Sequence, residues 1–175
     1  MFVQPLDEEG EWFRYHGLFA DFLRAQLKRT ATEDIPSLHL KAAQWFAEHT
    51  LWSEAVRHAI AAGGMALATQ CLERCSMDEL RASRMRNFLD WVRQIPPEAV
   101  REQPRLRIAL VWALILTVQL DEAQAALEEI EAQVADHSFS EMDDLHGVLR
   151  VQHFLLLAAR GETRPALELG QQIGR

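Results

Sequence analysis

The side chains that could do chemistry in this 175-residue chain are few and scattered. His16 stands in Tyr15-His16-Gly17-Leu18-Phe19, where an aromatic, β-branched segment gives way to a helical pattern. An imidazole there sits at a helix N-terminus, where free amides and the helix dipole favour an anion; the alternative is a capping or core histidine. Cys71 and Cys75 are four residues apart, so on a helix they share one face. Parallel Cβ vectors bridge poorly, and a metal would need two further ligands that the neighbouring sequence does not supply. They read as buried thiols acting as small hydrophobes. His146 and His153 lie seven apart, downstream of Asp143 and Asp144. Two helical turns separate such imidazoles by roughly 10 Å, too far to share one ion, so a partly exposed pair is expected. Trp45, Trp52, Trp91 and Trp112 read as gap fillers between helices, with a tryptophan-lined, sugar-type groove as the alternative.

The motifs of common enzymes are missing. The sequence has no Walker-type glycine loop, no paired-glycine dinucleotide fingerprint, no His-Glu-x-x-His and no nucleophile elbow. Gly63-Gly64 falls where a helix would stop. We therefore expect no catalytic residue and no metal ligand, and the chain reads as a non-enzyme.

Composition excludes other classes. With 49% hydrophobic and 25% charged residues the chain is neither a disordered tail, a fibre nor a Cys-rich scaffold. Two cysteines point to a reducing compartment, and a net charge of -8 argues against a polyanion as main partner. The surplus is uneven: residues 108–175 hold eleven acidic and four basic side chains. The basic stretch holds Arg81, Arg84, Arg86, Arg93, Arg101, Arg105 and Arg107, interleaved with Asp78, Glu79, Asp90, Glu98 and Glu102. Mixed signs at that density predict a solvated helix face, with a phosphate or partner patch as the alternative. The N-terminus has no signal-peptide pattern. The longest apolar run, Ile108 to Val118, is about half of a membrane span. The expected location is the cytoplasm, with no membrane and no nucleic acid as partner of this segment.

Those residues must be positioned by helices. Phe2-Val3-Gln4 and Trp12-Phe13-Arg14-Tyr15, separated by Asp7-Glu8-Glu9-Gly10, predict a small β-hairpin that must lean on other structure. From His16 onward the period is helical. Leu18, Phe19, Phe22, Leu23 and Leu27 form one stripe. Pro36-Ser37 opens a second helix with Leu38, Ala42, Ala43, Phe46 and His49 inward. Ser53-Glu54 caps a third, with Ala55, Val56, Ala59 and Ile60 inward. A fourth holds Leu67, Cys71, Leu72 and Cys75; a fifth holds Phe88, Leu89, Trp91 and Val92 and ends at Pro96-Pro97. Pro104 starts an apolar helix over 105–119, and Asp121 caps the next, with Ala123, Leu127, Ile130 and Val134 inward. After a loop near His137–Ser140, a long helix runs to Ala159, Gly161 stops it, and 163–173 makes the last.

Short connections force antiparallel neighbours. Three joints look alike: Leu51-Trp52-Ser53-Glu54-Ala55, Gln119-Leu120-Asp121-Glu122-Ala123 and Arg160 through Ala166. Ala55 and Ala123 are 68 apart, twice the period of about 34 of tetratricopeptide helix pairs. Phe46, Leu114 and Leu157 lie nine before Ala55, Ala123 and Ala166, a large residue opposite a small one. The expected fold is all-α: antiparallel helix pairs in a tetratricopeptide-like right-handed superhelix, with a small N-terminal β-hairpin.

A resemblance adds to this. Trp12-Phe13-Arg14-Tyr15-His16-Gly17-Leu18-Phe19-Ala20-Asp21-Phe22-Leu23, then Leu38 through Phe46, Glu54 through Gly63, Trp91 through Pro96 and Pro104-Arg105-Leu106, resemble the MalT-like, ATP-dependent LuxR-type transcriptional activators. Those proteins are signal-transduction ATPases with a nucleotide-binding module, a winged helix, a helical arm, a superhelical sensor and a C-terminal helix-turn-helix. The resemblance implies that 1–30 is the end of the winged helix, 31–103 the arm and 104–175 the start of the sensor. The chain would be an internal segment, without cofactor itself, of a parent that binds ATP or ADP with magnesium. Partners would be the parent's own nucleotide-binding module and sensor repeats, a small inducer or regulatory protein, and further copies when active. In related ATPases a Met-His-Asp motif places its histidine on the ADP β-phosphate. Tyr15-His16-Gly17 stands at that position, so His16 is the candidate nucleotide sensor, although Gly17 replaces the aspartate. The expected function is coupling of an ATPase switch to an inducer-sensing superhelix. The alternative is a helical-repeat scaffold that binds a partner protein.

Overall fold

The computed structural model describes residues 2–8, 10, 12–135 and 145–173. Strands β1 (Val3–Pro5) and β2 (Phe13–Tyr15) pair antiparallel, Val3 opposite Tyr15 and Pro5 opposite Phe13. The ladder is extended by the Leu6 amide donating to the Trp12 carbonyl and the His16 amide to the Phe2 carbonyl, both 2.8 Å. The chain then enters α1 (Gly17–Thr30), a single 3-10 turn (Thr32–Asp34) and α2 (Ile35–Glu48). The rest of the fold is α3 (Trp52–Ala61), α4 (Met65–Arg81), α5 (Met85–Val92), α6 (Pro97–Arg101), α7 (Pro104–Leu116), α8 (Leu120–Ala135), α9 (Leu145–Ala159) and α10 (Thr163–Ile173). Past residue 16 no strand occurs among the described residues. The all-α expectation with an N-terminal hairpin is met. The predicted loop at 137–140 lies outside the described residues.

One turn geometry makes most of the connections. Thr50, Gly63, Ser83, Val118 and Gly161 each adopt a left-handed φ between 58° and 77° at the end of a helix. At each of these five joints the next residue donates its amide to the carbonyl five residues back, at 2.9 Å: Leu51 to Phe46, Gly64 to Ala59, Arg84 to Glu79, Gln119 to Leu114 and Glu162 to Leu157. The left-handed residue donates three residues back, so both bonds of a Schellman turn are present. The carbonyl after the turn then accepts the first bond of the following helix, whose donor is Ala55, Ala68, Phe88, Ala123 or Ala166. All five of those residues are buried. Two of the three residues in each connection thus close one helix and start the next.

The joints at Thr50, Ser83, Val118 and Gly161 define the pairs α2/α3, α4/α5, α7/α8 and α9/α10. Their spacings, 33, 35 and 43 residues, match a helix-pair period of about 34 with one longer step. Helices α4, α7 and α9 pack side by side in turn, while α5 leans on α7 and α8 on α9. One continuous core runs from Ala43 to Leu156. Helix α7, apolar all round from Ile108 to Leu116, is its centre, with Leu106, Ala109, Val111 and Ala113 fully buried.

Several local expectations are corrected. Ser53 does not cap α3: Leu51 holds the N-cap position, and the Ser53 hydroxyl donates to Glu79 of α4 at 2.5 Å. Asp121 lies inside the first turn of α8, and its carboxylate accepts from Arg160 at 2.6 Å. Pro96-Pro97 does not end α5, which stops at Val92, but opens α6, where proline's fixed φ and missing amide suit a first turn. The stripe of α1 is not buried: Leu18 is 78% and Phe22 57% exposed, and only Phe19 and Leu27 are partly covered. His49 is exposed, stacked on Trp45 at 3.9 Å.

Candidate functional site

His16 is placed where the sequence puts it, as N-cap of α1, with φ -53° and ψ 137°. Its carbonyl accepts the amides of Phe19 and Ala20 at 2.9 Å, while the imidazole makes no capping bond to the helix. The ring is exposed, so His16 is not a core histidine, and it caps the helix through its carbonyl alone. It borders an apolar cleft of 440 Å³ with Phe2, Leu18, Phe19 and Phe22. Phe2 and Tyr15 hold Phe19 from the hairpin side, at ring-centre distances of 4.8 and 5.5 Å. A Cβ on Gly17 would meet nothing within 4 Å, so space does not dictate glycine where the ATPase motif has aspartate. The hairpin also reaches past α1: Trp12 meets Trp45 of α2 edge-on at 6.0 Å. The ring beside His16 and the first helix pair are thus joined through aromatic contacts.

A second site was not anticipated as such. A groove of 920 Å³ runs along the face made by α4, α7 and α9, with Ile173 of α10 also lining it. Met77, Ile108, Trp112, Val148 and Val151 supply its apolar wall, and Glu73, Arg74 and Arg105 its charges. Ligand sites span about 300–1,000 Å³ and are mostly apolar with a few polar groups. Of the four tryptophans read as gap fillers, Trp52, Trp91 and Trp112 pack partly buried against the core. Trp112 also faces the groove, and Trp45 is 44% exposed, against the hairpin. Trp112 was the one signal in the sequence for this groove.

The arginine-rich stretch is only partly a solvated face. Arg81 pairs with Asp78, Arg93 with Asp90 and Glu122, and Arg101 with Glu129, all exposed. Arg107, in contrast, is buried, hydrogen-bonded to Gln133 and near Glu129. Burial lowers its pKa, Glu129 opposes that shift, and Arg101 adds to it. Glu79 is fully buried and accepts from Ser53 and from both Nε and Nη2 of Arg84. Burial alone would raise its carboxyl, but the bonds from Arg84 and Ser53 bring it below the usual range.

Cys71 and Cys75 are buried and unbridged, as expected. Burial raises both thiols, Cys75 to about 12 with Glu79 adding to the shift, so neither offers a thiolate at neutral pH. His153 Nδ1 lies 3.4 Å from Glu131, and Asp143 and Asp144 fall outside the described residues. Among the described residues no group of three metal-ligating side chains converges. A histidine pair missed by sequence reasoning joins α2 to α3, His39 Nδ1 lying 2.9 Å from His58 Nδ1. The two are 19 residues apart, so no local spacing announces them. No described helix is long and apolar enough to cross a membrane.

Comparison with known proteins bears on the first site. Residues 1–35 match the family described as the MalT winged helix domain. Over 131 residues, 75% of this chain, the sequence is 37% identical to the serine/threonine-protein kinase PknK of Mycobacterium tuberculosis, and equally to that of Mycobacterium bovis. That stretch is 12% of each relative, so the chain spans about an eighth of the length of the curated relatives it matches. No solved structure matches. The first 35 residues, which carry His16, are thus similar to the MalT winged helix domain.

Proposed function

We propose that the chain is the regulatory middle of a MalT-like signal-transduction ATPase, coupling a nucleotide-dependent switch to sensing by helical repeats. The observation that carries this reading is the aromatic bridge from the winged-helix segment to the first helix pair, Trp12 against Trp45 at 6.0 Å, with His16 exposed on the same hairpin–helix unit. A phosphate held by His16 would bias the position of the hairpin, and the Trp12–Trp45 contact gives that bias a route into the repeats. The groove along α4, α7 and α9 gives the repeats a place for a ligand. Coupling then requires that ligand to bind the two states of the switch with unequal affinity.

In the full-length protein His16 contributes to ADP retention in the resting state, and inducer shifts the population toward an ATP-bound, self-associating form. His16→Ala is expected to speed ADP release and raise inducer-independent transcription. Unchanged ADP retention together with unchanged basal transcription would sink the assignment.

A further inference from the structure

We infer that the groove along α4, α7 and α9 takes a small organic anion with an apolar body, of the acyl-carboxylate type. This rests on the reading of the repeats as a sensor and names the class of ligand sensed. Residues 108–175 are strongly acidic, yet the groove is bordered by two guanidinium groups, Arg74 and Arg105, against one carboxylate, Glu73. Neither arginine forms an ion pair among the described residues; Arg74 only lies over the Trp52 ring at 5.9 Å. Both are exposed, so they keep their hydration until a ligand arrives.

The rest of the wall has little to offer a polar ligand. Ser76 is buried, and its hydroxyl is spent on the Glu73 carbonyl at 2.8 Å. A hydroxyl-rich ligand such as a sugar would leave most of its groups facing Met77, Trp112, Val148 and Val151, an unfavourable loss of hydrogen bonds. An acyl or aryl body suits those side chains instead, and Met77, 42% exposed and unbranched, can adapt its shape to it. Guanidinium groups recognise carboxylate geometry better than ammonium groups do. A cationic amphipath meets the wrong sign.

The test uses three probes with one chain length: decanoate, methyl decanoate and decyltrimethylammonium, titrated into the full chain by calorimetry. Decanoate is expected to bind best, by about tenfold over the cation, and its affinity to fall with added salt as exposed charges are screened. The double variant Arg74→Gln/Arg105→Gln is expected to keep the fold, since both side chains are exposed, and to level the three affinities. In Trp112→Ala all three should weaken together, which separates the apolar wall from the charges. Equal binding of all three by the unaltered chain overturns the proposal, as does a double variant that still prefers decanoate. No decanoate heat, with a mass that doubles on concentration, would mean that a second copy of the chain covers the groove, and also overturns it. Each of these results leaves the coupling reading to be judged separately by ADP retention in His16→Ala.

Discussion

The carboxylate of Glu79 and the guanidinium of Arg84 close the turn between α4 and α5 with two hydrogen bonds of 2.8 Å, one end fully buried and the other half-exposed. They occupy the two positions that the backbone bond of the Schellman turn joins. At the equivalent places the other joints carry Phe46 with Leu51, Ala59 with Gly64, Leu114 with Gln119 and Leu157 with Glu162. Of the five joints only this one adds a side-chain ion pair to that backbone bond. The Ser53 hydroxyl brings α3 into the same network. Helices α3 and α4 and the turn into α5 meet on one carboxylate.

Glu79→Gln should consequently destabilise the chain by about 1–3 kcal/mol in urea unfolding, the range for a buried group that loses charge-assisted partners. The carboxyl is held below its ordinary value of 4.5, so the unfolded chain binds the proton more readily. The stability this group contributes is full above about that pH and is lost as pH falls further. The acid-side loss should shrink in Glu79→Gln; an unchanged acid limb would show that other carboxylates govern it.

The His39–His58 contact gives a second pH dependence, at milder acidity. Burial lowers the His58 value from 6.5, His39 and Arg57 lower it further, and Glu54 opposes them. Its neighbours across the interface are His39 and the ring of Phe46, 5.3 Å away. With the folded value depressed, the unfolded chain takes up the proton first as pH falls through 6.5, so stability rises with pH across that window. The thermal midpoint is expected to drop by a few degrees between pH 7.5 and 5.5 and to drop less in His58→Gln. A midpoint that rises on acidification would contradict the lowered value of His58.

How much of this was legible beforehand depends on which residues announced it. The pairing of a large residue with a small one nine later is visible at Phe46/Ala55, Leu114/Ala123 and Leu157/Ala166, and those joints are where it predicts. The fourth pair, α4/α5, has the same turn, but Glu79 and Phe88 stand in those positions. A glutamate reads as surface in any hydrophobic pattern, and only the contacts with Arg84 and Ser53 make it a core residue. Ser53 misled for the same reason, because a serine before a helix reads as a cap until its partner in α4 is seen. The position of His16 was legible, since a change of period marks the helix start. The groove was not, since its walls come from three helices far apart in sequence, and Arg74 and Arg105 look like any solvated arginine until the apolar wall between them is known.

Val118 turns the joint geometry into a stability test. It holds a φ of 61° and is 74% exposed, so a β-branched residue sits in the left-handed region without burial to compensate. That conformation costs a side-chain-bearing residue about 1–2 kcal/mol, and glycine escapes the cost while losing about 0.5–1 kcal/mol of chain entropy on folding. Val118→Gly should therefore raise stability by about 0.5–1 kcal/mol, read as a higher urea midpoint with unchanged slope. Gly161, at φ 77° with open space where a Cβ would stand, is the reciprocal case. Gly161→Val should lower stability although nothing clashes, because the backbone alone objects. If Val118→Gly lowers the midpoint, the Val118 turn is held by side-chain contacts and not by backbone geometry; if Gly161→Val is neutral, the α9/α10 joint has moved out of the left-handed region.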